Sequence, residues 1–352
     1  MRHENKKDLI RTLSVQTATH QTQAMVKFIK REVSLIDGCK IYEIDKNLYI
    51  TRGDAATYPC IVAHTDTVHD LYPNFNIFEL QGKLFSVDGS TMNRVGIGGD
   101  DKVGVFIALE VLKATPVCKV AFFRDEEIGC VGSADADMTF FDNVEFVLQC
   151  DRYGNRDFVN EIFYESLYGK EFSDAIQDTL KKYNRKETDG GLTDVYQLVE
   201  NGLGVCSANM SCGYYDPHSN NEYVILNHVF ATLSFVMSLF DVLSGTVWEM
   251  SDIDRTNSYK SNKKHAFKYY GYGRRGYDTF DDYYDDDNFN TYGTATWEND
   301  LPEKDGTEPC PNCLGTEIME DEIDGRDWCF NCQEYTDVLQ RLVDETNEDL
   351  PF

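Results

Sequence analysis

The chain has 352 residues, with 61 Asp plus Glu against 33 Lys plus Arg, and a formal net charge of −28. Such a length builds one large domain or two ordinary ones, the 41% of hydrophobic residues excludes a wholly disordered chain, and the charge argues against non-specific attraction to nucleic acid or anionic lipid. The acidity is uneven: residues 278–352 hold 23 acidic and 3 basic residues, a net −20, which leaves −8 for residues 1–277.

Taken in chain order, the N-terminal MRHENKKDLIRTLS is polar and lacks the apolar stretch of a secretory signal, and no run approaches the roughly 18 apolar residues of a membrane span. Apolar Leu9, Ile10, Leu13, Met25, Phe28, Ile29, Val33 and Ile36 recur at helical spacing and predict a helix over 5–36. Residues 40–63 read as three strands, ending in Cys60-Ile61-Val62-Ala63. Residues 102–113 are apolar on nearly all sides and predict a buried helix. The short apolar runs 117–123 and 144–150 predict central strands, followed by helices at 170–184 and 194–201, a strand at 204–210 and a long helix at 225–243. This alternation predicts the α/β class, a central mixed sheet flanked by helices on both faces.

After about residue 246 the texture changes. Residues 256–300 are rich in Tyr, Asp, Asn and Gly and poor in aliphatics, so 248–305 reads as a flexible linker between a 1–247 domain and a cysteine-paired module at 306–340, with 341–352 an acidic tail. Within the linker, basic Lys260, Lys263, Lys264, Lys268, Arg274 and Arg275 with interleaved aromatics make the one nucleic-acid-like stretch, and the acidic block 278–287 beside it competes with any phosphate. Seven of the eleven cysteines are scattered through the first 212 residues without a pattern, as in a reducing cytoplasm. The other four form Cys310-Pro-Asn-Cys313 and, fifteen residues on, Cys329-Phe-Asn-Cys332, the spacing of a four-cysteine zinc ribbon whose one structural zinc supplies most of its folding energy. Thirteen acids against Arg326 and Arg341 in 306–352 suit a protein partner for ribbon and tail, not phosphate.

Five segments carry metal-ligand residue types at strand ends or helix starts: Ala63-His64-Thr65-Asp66-Thr67, Gly98-Gly99-Asp100-Asp101-Lys102, Arg124-Asp125-Glu126-Glu127, Cys150-Asp151-Arg152 and Asp216-Pro217-His218-Ser219. Taken singly each has an ordinary reading: a hydrogen-bonded histidine, a charge pair at a helix start, a solvated turn, a loop cap. Together they differ, because carboxylates next to buried strands are costly unless paired or metal-bound, and the carboxyl ends of the strands in an open α/β sheet are where ligands bind.

In this order HTDT, GGDDKVG, RDEEIG, the strand-end Asp151 and PHSNNE resemble the co-catalytic di-zinc exopeptidases, closest to peptidase T and the related aminoacylases and carboxypeptidases, over about residues 5–245. The resemblance implies a phosphorylase/hydrolase-like metallopeptidase fold with two catalytic zinc ions, for which cobalt or manganese can substitute. It implies that Asp100 bridges them, that His64 and Asp151 complete one site and Glu127 and His218 the other, that Glu126 is the general base on a metal-bridging water, and that Asp66 orients His64. The sequence by itself does not separate Glu126 from Glu127. Only residues 152–217 lie between Asp151 and His218, too few for the lid domain usual in peptidase T-like enzymes, which leaves Arg152, Asn155, Arg156, Asp194 and Asn209 as candidates to hold a substrate end. The expected activity is hydrolysis of short peptides by an aminopeptidase. The alternatives are deacylation of an N-acyl amino acid and a non-catalytic metal-bound adaptor.

Overall fold

The computed structural model describes residues 2–250 and, beyond them, residues 318–320, 327–329 and 334–335. The chain divides into two units, Met1–Gly273 and Arg274–Phe352.

The first unit opens with two helices, α1 (Arg2–Ser14) and α2 (Gln23–Ser34), where the sequence predicted one. The break has a tertiary cause. Thr17 Oγ1 donates to the Thr65 carbonyl at 2.7 Å, Thr67 Oγ1 to the Thr17 carbonyl at 2.8 Å, and the Thr19 N–H to the Thr67 carbonyl at 3.1 Å, so residues 15–22 bond to a strand end instead of continuing a helix.

Strands β1 (Cys39–Ile44), β2 (Asn47–Arg52) and β3 (Tyr58–His64) follow, then β4 (Phe75–Leu80), β5 (Lys83–Asp88) and β6 (Arg94–Val95). Helix α3 (Gly99–Ala114) leads to β7 (Cys118–Phe123), a 3-10 turn at Glu126–Ile128, and α4 (Val131–Ala134). Next come β8 (Val144–Arg152), β9 (Asp157–Ile162), β10 (Glu165–Ser166), α5 (Lys170–Lys182), β11 (Lys186–Gly190), α6 (Asp194–Glu200), β12 (Ser207–Ser211), β13 (Tyr214–Tyr215), β14 (Tyr223–Ile225) and α7 (Leu226–Leu243).

The main sheet runs β1-β2-β7-β3-β8-β12-β9-β10, with β11 also paired to β9. Its centre, β7-β3-β8-β12, is parallel and its flanks are antiparallel, so the sheet is mixed. Every residue of β3 and β7 is buried, which is why both read as largely apolar runs, broken only by Lys119 and the terminal His64. Successive β8 side chains meet different helices: Gln149 accepts from Val195 N–H in α6, whereas Cys150 lies beside Asp101 of α3. Helices thus cover both faces. A second, antiparallel sheet, β13-β14-β5-β4 with β6 on β5, went unread in the sequence although 75–88 alternates in burial. Residues 152–217 complete the main sheet and its two edge helices, leaving no second domain there.

Helix α7 has a mean hydropathy of 1.5 over 18 residues, long and apolar enough on that measure to cross a membrane, contrary to the sequence reading. Half of it is buried, with Val229, Phe235, Val236, Leu239 and Leu243 fully enclosed in the core formed with α3 and α5. Each such side chain contributes about 1.5–3 kcal/mol by leaving water.

In the second unit, β15 (Ile318–Glu320), β16 (Asp327–Cys329) and β17 (Glu334–Tyr335) form an antiparallel sheet in that order. The proposed linker from 251 onward, the acidic tail, and Cys310, Cys313 and Cys332 of the ribbon lie outside the described residues. Of the fourth cysteine, Cys329, only its place at the end of β16 is described.

Candidate active site

The carboxyl ends of β7, β3, β8 and β12 open on one rim, and four of the five sequence segments end there. His64 is the last residue of β3, Asp151 stands near the end of β8, Glu126 and Glu127 occupy the turn after β7, and Asp100 opens α3. The fifth, His218, arrives on the loop joining β13 to β14.

The side chains converge around Asp100. Its Oδ1 lies 3.1 Å from His64 Nε2, which is also 3.7 Å from Asp151 Oδ1. Its Oδ2 lies 3.4 Å from His218 Nε2, which is 3.0 Å from Glu127 Oε2. Asp100 therefore stands between two donor sets, His64 with Asp151 and His218 with Glu127. Glu126 belongs to neither of the clustered ligand groups: its Oε2 is 3.9 Å from His64 Nε2, and its Oε1 accepts from the Cys130 thiol at 3.4 Å.

Local backbone supports this. Asp125 and Cys130, which bracket the Glu126–Glu127 turn, and Asp216 and His218 all have positive φ, between 52° and 59°. Non-glycine residues there cost of order 1–3 kcal/mol each and gather where a site over-determines them. Asp66 ties the turn to β3: it accepts from the Glu126 N–H at 3.0 Å, the Glu127 N–H at 3.3 Å and Thr19 Oγ1 at 3.1 Å, while its Oδ1 is 3.4 Å from His64 Nδ1. Asp151 is held through Oδ2 by Gln149 and Thr193, both at 3.1 Å, and faces Tyr214 Oη at 3.2 Å through Oδ1.

Sequence reasoning missed Gln149, Thr193 and Tyr214, and Asp101, whose carboxylate accepts from the His64 and Gly104 N–H groups. Of the candidates for a substrate end, Asp194 is fully buried between Ser133 and Gln149, and Asn209 is buried with its amide on the Asp151 backbone. Both serve Asp151 and its surroundings. Arg152 pairs with Asp157 at 2.7 Å, Asn155 is half-buried, and Arg156 is exposed.

The electrostatics are those of crowded acids. Burial pushes Glu127 up to about 7, Asp194 to about 7 and Asp151 to about 6, with Asp100 adding to the shift at Glu127 and Asp151, and Asp151 and Asp66 adding to it at Asp194. Burial, then Asp151, Asp194 and Glu127, push Glu126 well above the usual carboxylate range. Burial opposes charge on His64, but Asp100, Asp151 and Asp66 outweigh it and raise the imidazole, while Asp100 and Glu127 push His218 up to about 11. The raised imidazoles of His64 and His218 offset these acids, a place that metal ions fit. His64 Nδ1 and Glu127 Oε1 are buried without a hydrogen-bond partner, and His64, Asp100 and Glu127, like His64, Asp101 and Asp151, bring ligand atoms within 4.8 Å of one another. The donor set, two imidazoles with carboxylates, suits zinc and related divalent ions. Beside Asp66 a recess of about 660 Å³ is lined by Thr19, Thr67, Val68, His69, Leu71 and Tyr72, among others.

No family model matches this chain, and no curated protein does. Among solved structures it is similar to aminopeptidase PepT from Bacillus cereus, at 14% identity and a TM-score of 0.57 over 69% of this chain and 99% of that one. It is similar as well to a tripeptidase from Staphylococcus aureus, at 13% and 0.54 over 69% and 98%. An aminopeptidase from the archaeon Desulfurococcus kamchatkensis gives 13% and 0.52 over 71% and 98%. What is shared at these identities is the fold: this chain has the mixed α/β fold of those peptidases.

Proposed function

We propose that the protein is a two-metal peptidase that removes N-terminal residues from short peptides. The observation that carries this reading is the division of Asp100, whose Oδ1 faces His64 and whose Oδ2 faces His218. A carboxylate so divided fits a bridge between two cations, with His64 and Asp151 on one and Glu127 and His218 on the other. Such a pair supplies Lewis acidity to the scissile carbonyl and an activated water.

The chain's own residues do the rest. Glu126, outside both donor sets, accepts the proton of the attacking water and returns it to the leaving amine. Burial and the neighbouring acids raise its affinity for the proton it takes up. Asp66 Oδ1, 3.4 Å from His64 Nδ1, favours the tautomer that keeps its proton on Nδ1, so that Nε2 presents its lone pair towards Asp100 and Asp151. The recess beside Thr67 receives the peptide, with Val68 and Leu71 offering exposed apolar surface. We place the enzyme in the cytoplasm, where its seven described free cysteines stay reduced, with zinc as the metal and a third zinc on Cys310, Cys313, Cys329 and Cys332.

Purified full-length protein, loaded with zinc or cobalt, is to be incubated with di- and tripeptides and with N-acyl amino acids. Release of the N-terminal residue that stops with chelator is expected. Activity confined to the N-acyl compounds makes it a deacylase, and no turnover of either sinks the proposal.

A further inference from the structure

The motif that brings His218 ends in Glu222, and the proposed mechanism leaves that residue without a task. Its side chain is fully buried. Oε2 accepts from the Gly98 N–H at 2.7 Å and lies 2.6 Å from His69 Nε2, and Oε1 accepts from the Asp100 N–H at 3.0 Å. One carboxylate thus binds three loops: 65–74 after β3, the residues opening α3, and 216–222 before β14. Two glycines show how closely they are packed. A Cβ on Gly96 would lie 2.0 Å from the His69 ring, and one on Gly99 would lie 2.6 Å from Tyr214 Cβ and 3.2 Å from Glu222 Oε1.

We infer that Glu222 is the positioning residue for the metal-bridging carboxylate: by gripping the backbone N–H of Asp100 it fixes where Oδ1 and Oδ2 stand. It touches no reacting atom. Its effect runs through the amide of Asp100, and through the rigid span of four residues that joins it to His218. A carboxylate suits the task because all three partners are donors, whereas an amide in its place would turn an N–H on one of them. The inference rests on the two-metal reading, and its test separates the two.

Metal affinity is to be measured on the full chain by equilibrium dialysis against zinc, with dipeptide kcat and KM alongside. The first arm is the unmodified protein: if it binds no zinc beyond the one expected of the four cysteines, with His64 and His218 intact, the two-metal reading itself fails. Given binding, Glu222→Gln is expected to weaken metal affinity about ten- to a hundredfold, the range for partners that orient ligands, and to lower kcat with KM little changed. Glu145→Gln is the control, because Glu145 is as deeply buried and accepts comparably from Thr57 Oγ1 at 2.7 Å and the Gly245 N–H at 2.9 Å, far from the rim. It should lower stability and leave metal affinity alone. Glu222→Gln with unmodified affinity and kcat, or equal losses in both variants, overturns the inference. If Glu222→Gln does not fold, His69→Gln decides: a several-fold weaker affinity supports the clamp, and no change refutes it.

Discussion

The two adjacent acids after β7 give the sharpest test of the mechanism, since the sequence left them interchangeable and the structure does not. Glu127 Oε2 lies 3.0 Å from His218 Nε2, whereas Glu126 Oε2 is 3.9 Å from His64 Nε2. Glu126→Gln keeps the side-chain volume, so it opens no cavity, and the backbone bond from residue 126 to Asp66 is unaffected. Only the Cys130 thiol contact, at 3.4 Å, and the ability to take a proton change. Loss of a general base costs roughly 10²–10⁴ in rate, about 3–5 kcal/mol of transition-state stabilisation. The expected result is therefore a fall in kcat of that size, unchanged KM, and two catalytic ions still bound. Glu127→Gln should instead shed metal on dialysis and recover part of its activity in excess zinc. Steady-state rates across a zinc titration, with atomic emission for bound metal, read both. If Glu126→Gln loses an ion and is rescued by zinc while Glu127→Gln retains both ions, the assignment of base and ligand is wrong.

Removal of metal should make stability depend on pH in a defined direction. Glu127 and Asp194 near 7 and Asp151 near 6 lie above their ordinary values of 4.5, 3.8 and 3.8, so between them and neutrality the folded state binds more protons than the unfolded chain. The contribution is complete at low pH and lost as pH rises through the folded values, so the chelated protein should melt lower at pH 7 than at pH 5; a rising Tm contradicts the charge analysis. Lys102 is buried, donates to the Leu13 and Val15 carbonyls at 2.7 and 3.3 Å, and burial lowers its pKa to about 7. Lys102→Met strands both carbonyls and should cost about 1–3 kcal/mol in urea unfolding at pH 8. The folded value lies below the ordinary one, so the intact protein gains stability as pH rises through 7 and the gap should narrow at pH 5. A gap that widens in acid refutes this. Finally, the full chain should carry about three zinc ions, and deletion of 306–352 should remove one and leave two; unchanged metal content would argue against the ribbon.

What the sequence could disclose follows from where each signal resides. Four of the five segments that meet at the rim were legible because each couples a buried strand or helix to an ionisable residue, a pairing visible within six residues; the fifth, 216–219, lies on a loop. The central strands were legible for a related reason: Cys118–Phe123 and Val144–Cys150 are mostly apolar because both faces are covered, with Lys119, Glu145 and Gln149 the polar exceptions. The break at 15–22 was not, since Thr17 and Thr19 leave the helix for partners near residue 65. The β4–β5 hairpin carried a usable signal, Gln81-Gly82 turning at positive φ between alternating residues, that was passed over. Gln149 and Thr193 left no local mark, because most of their partners are brought near only by the folded sheet.

The spacing of the ligands along the chain also bears on synthesis. His64 and His218 are separated by most of the first unit, and β12, which lies between β8 and β9, is made after β9. A ribosome-bound chain that has passed Asp151 holds His64, Asp100, Glu127 and Asp151 but has neither β12 nor the 216–222 loop. On the proposed two-metal mechanism, the centre can close only after His218 and Glu222 have emerged, which ties activity to completion of the sheet.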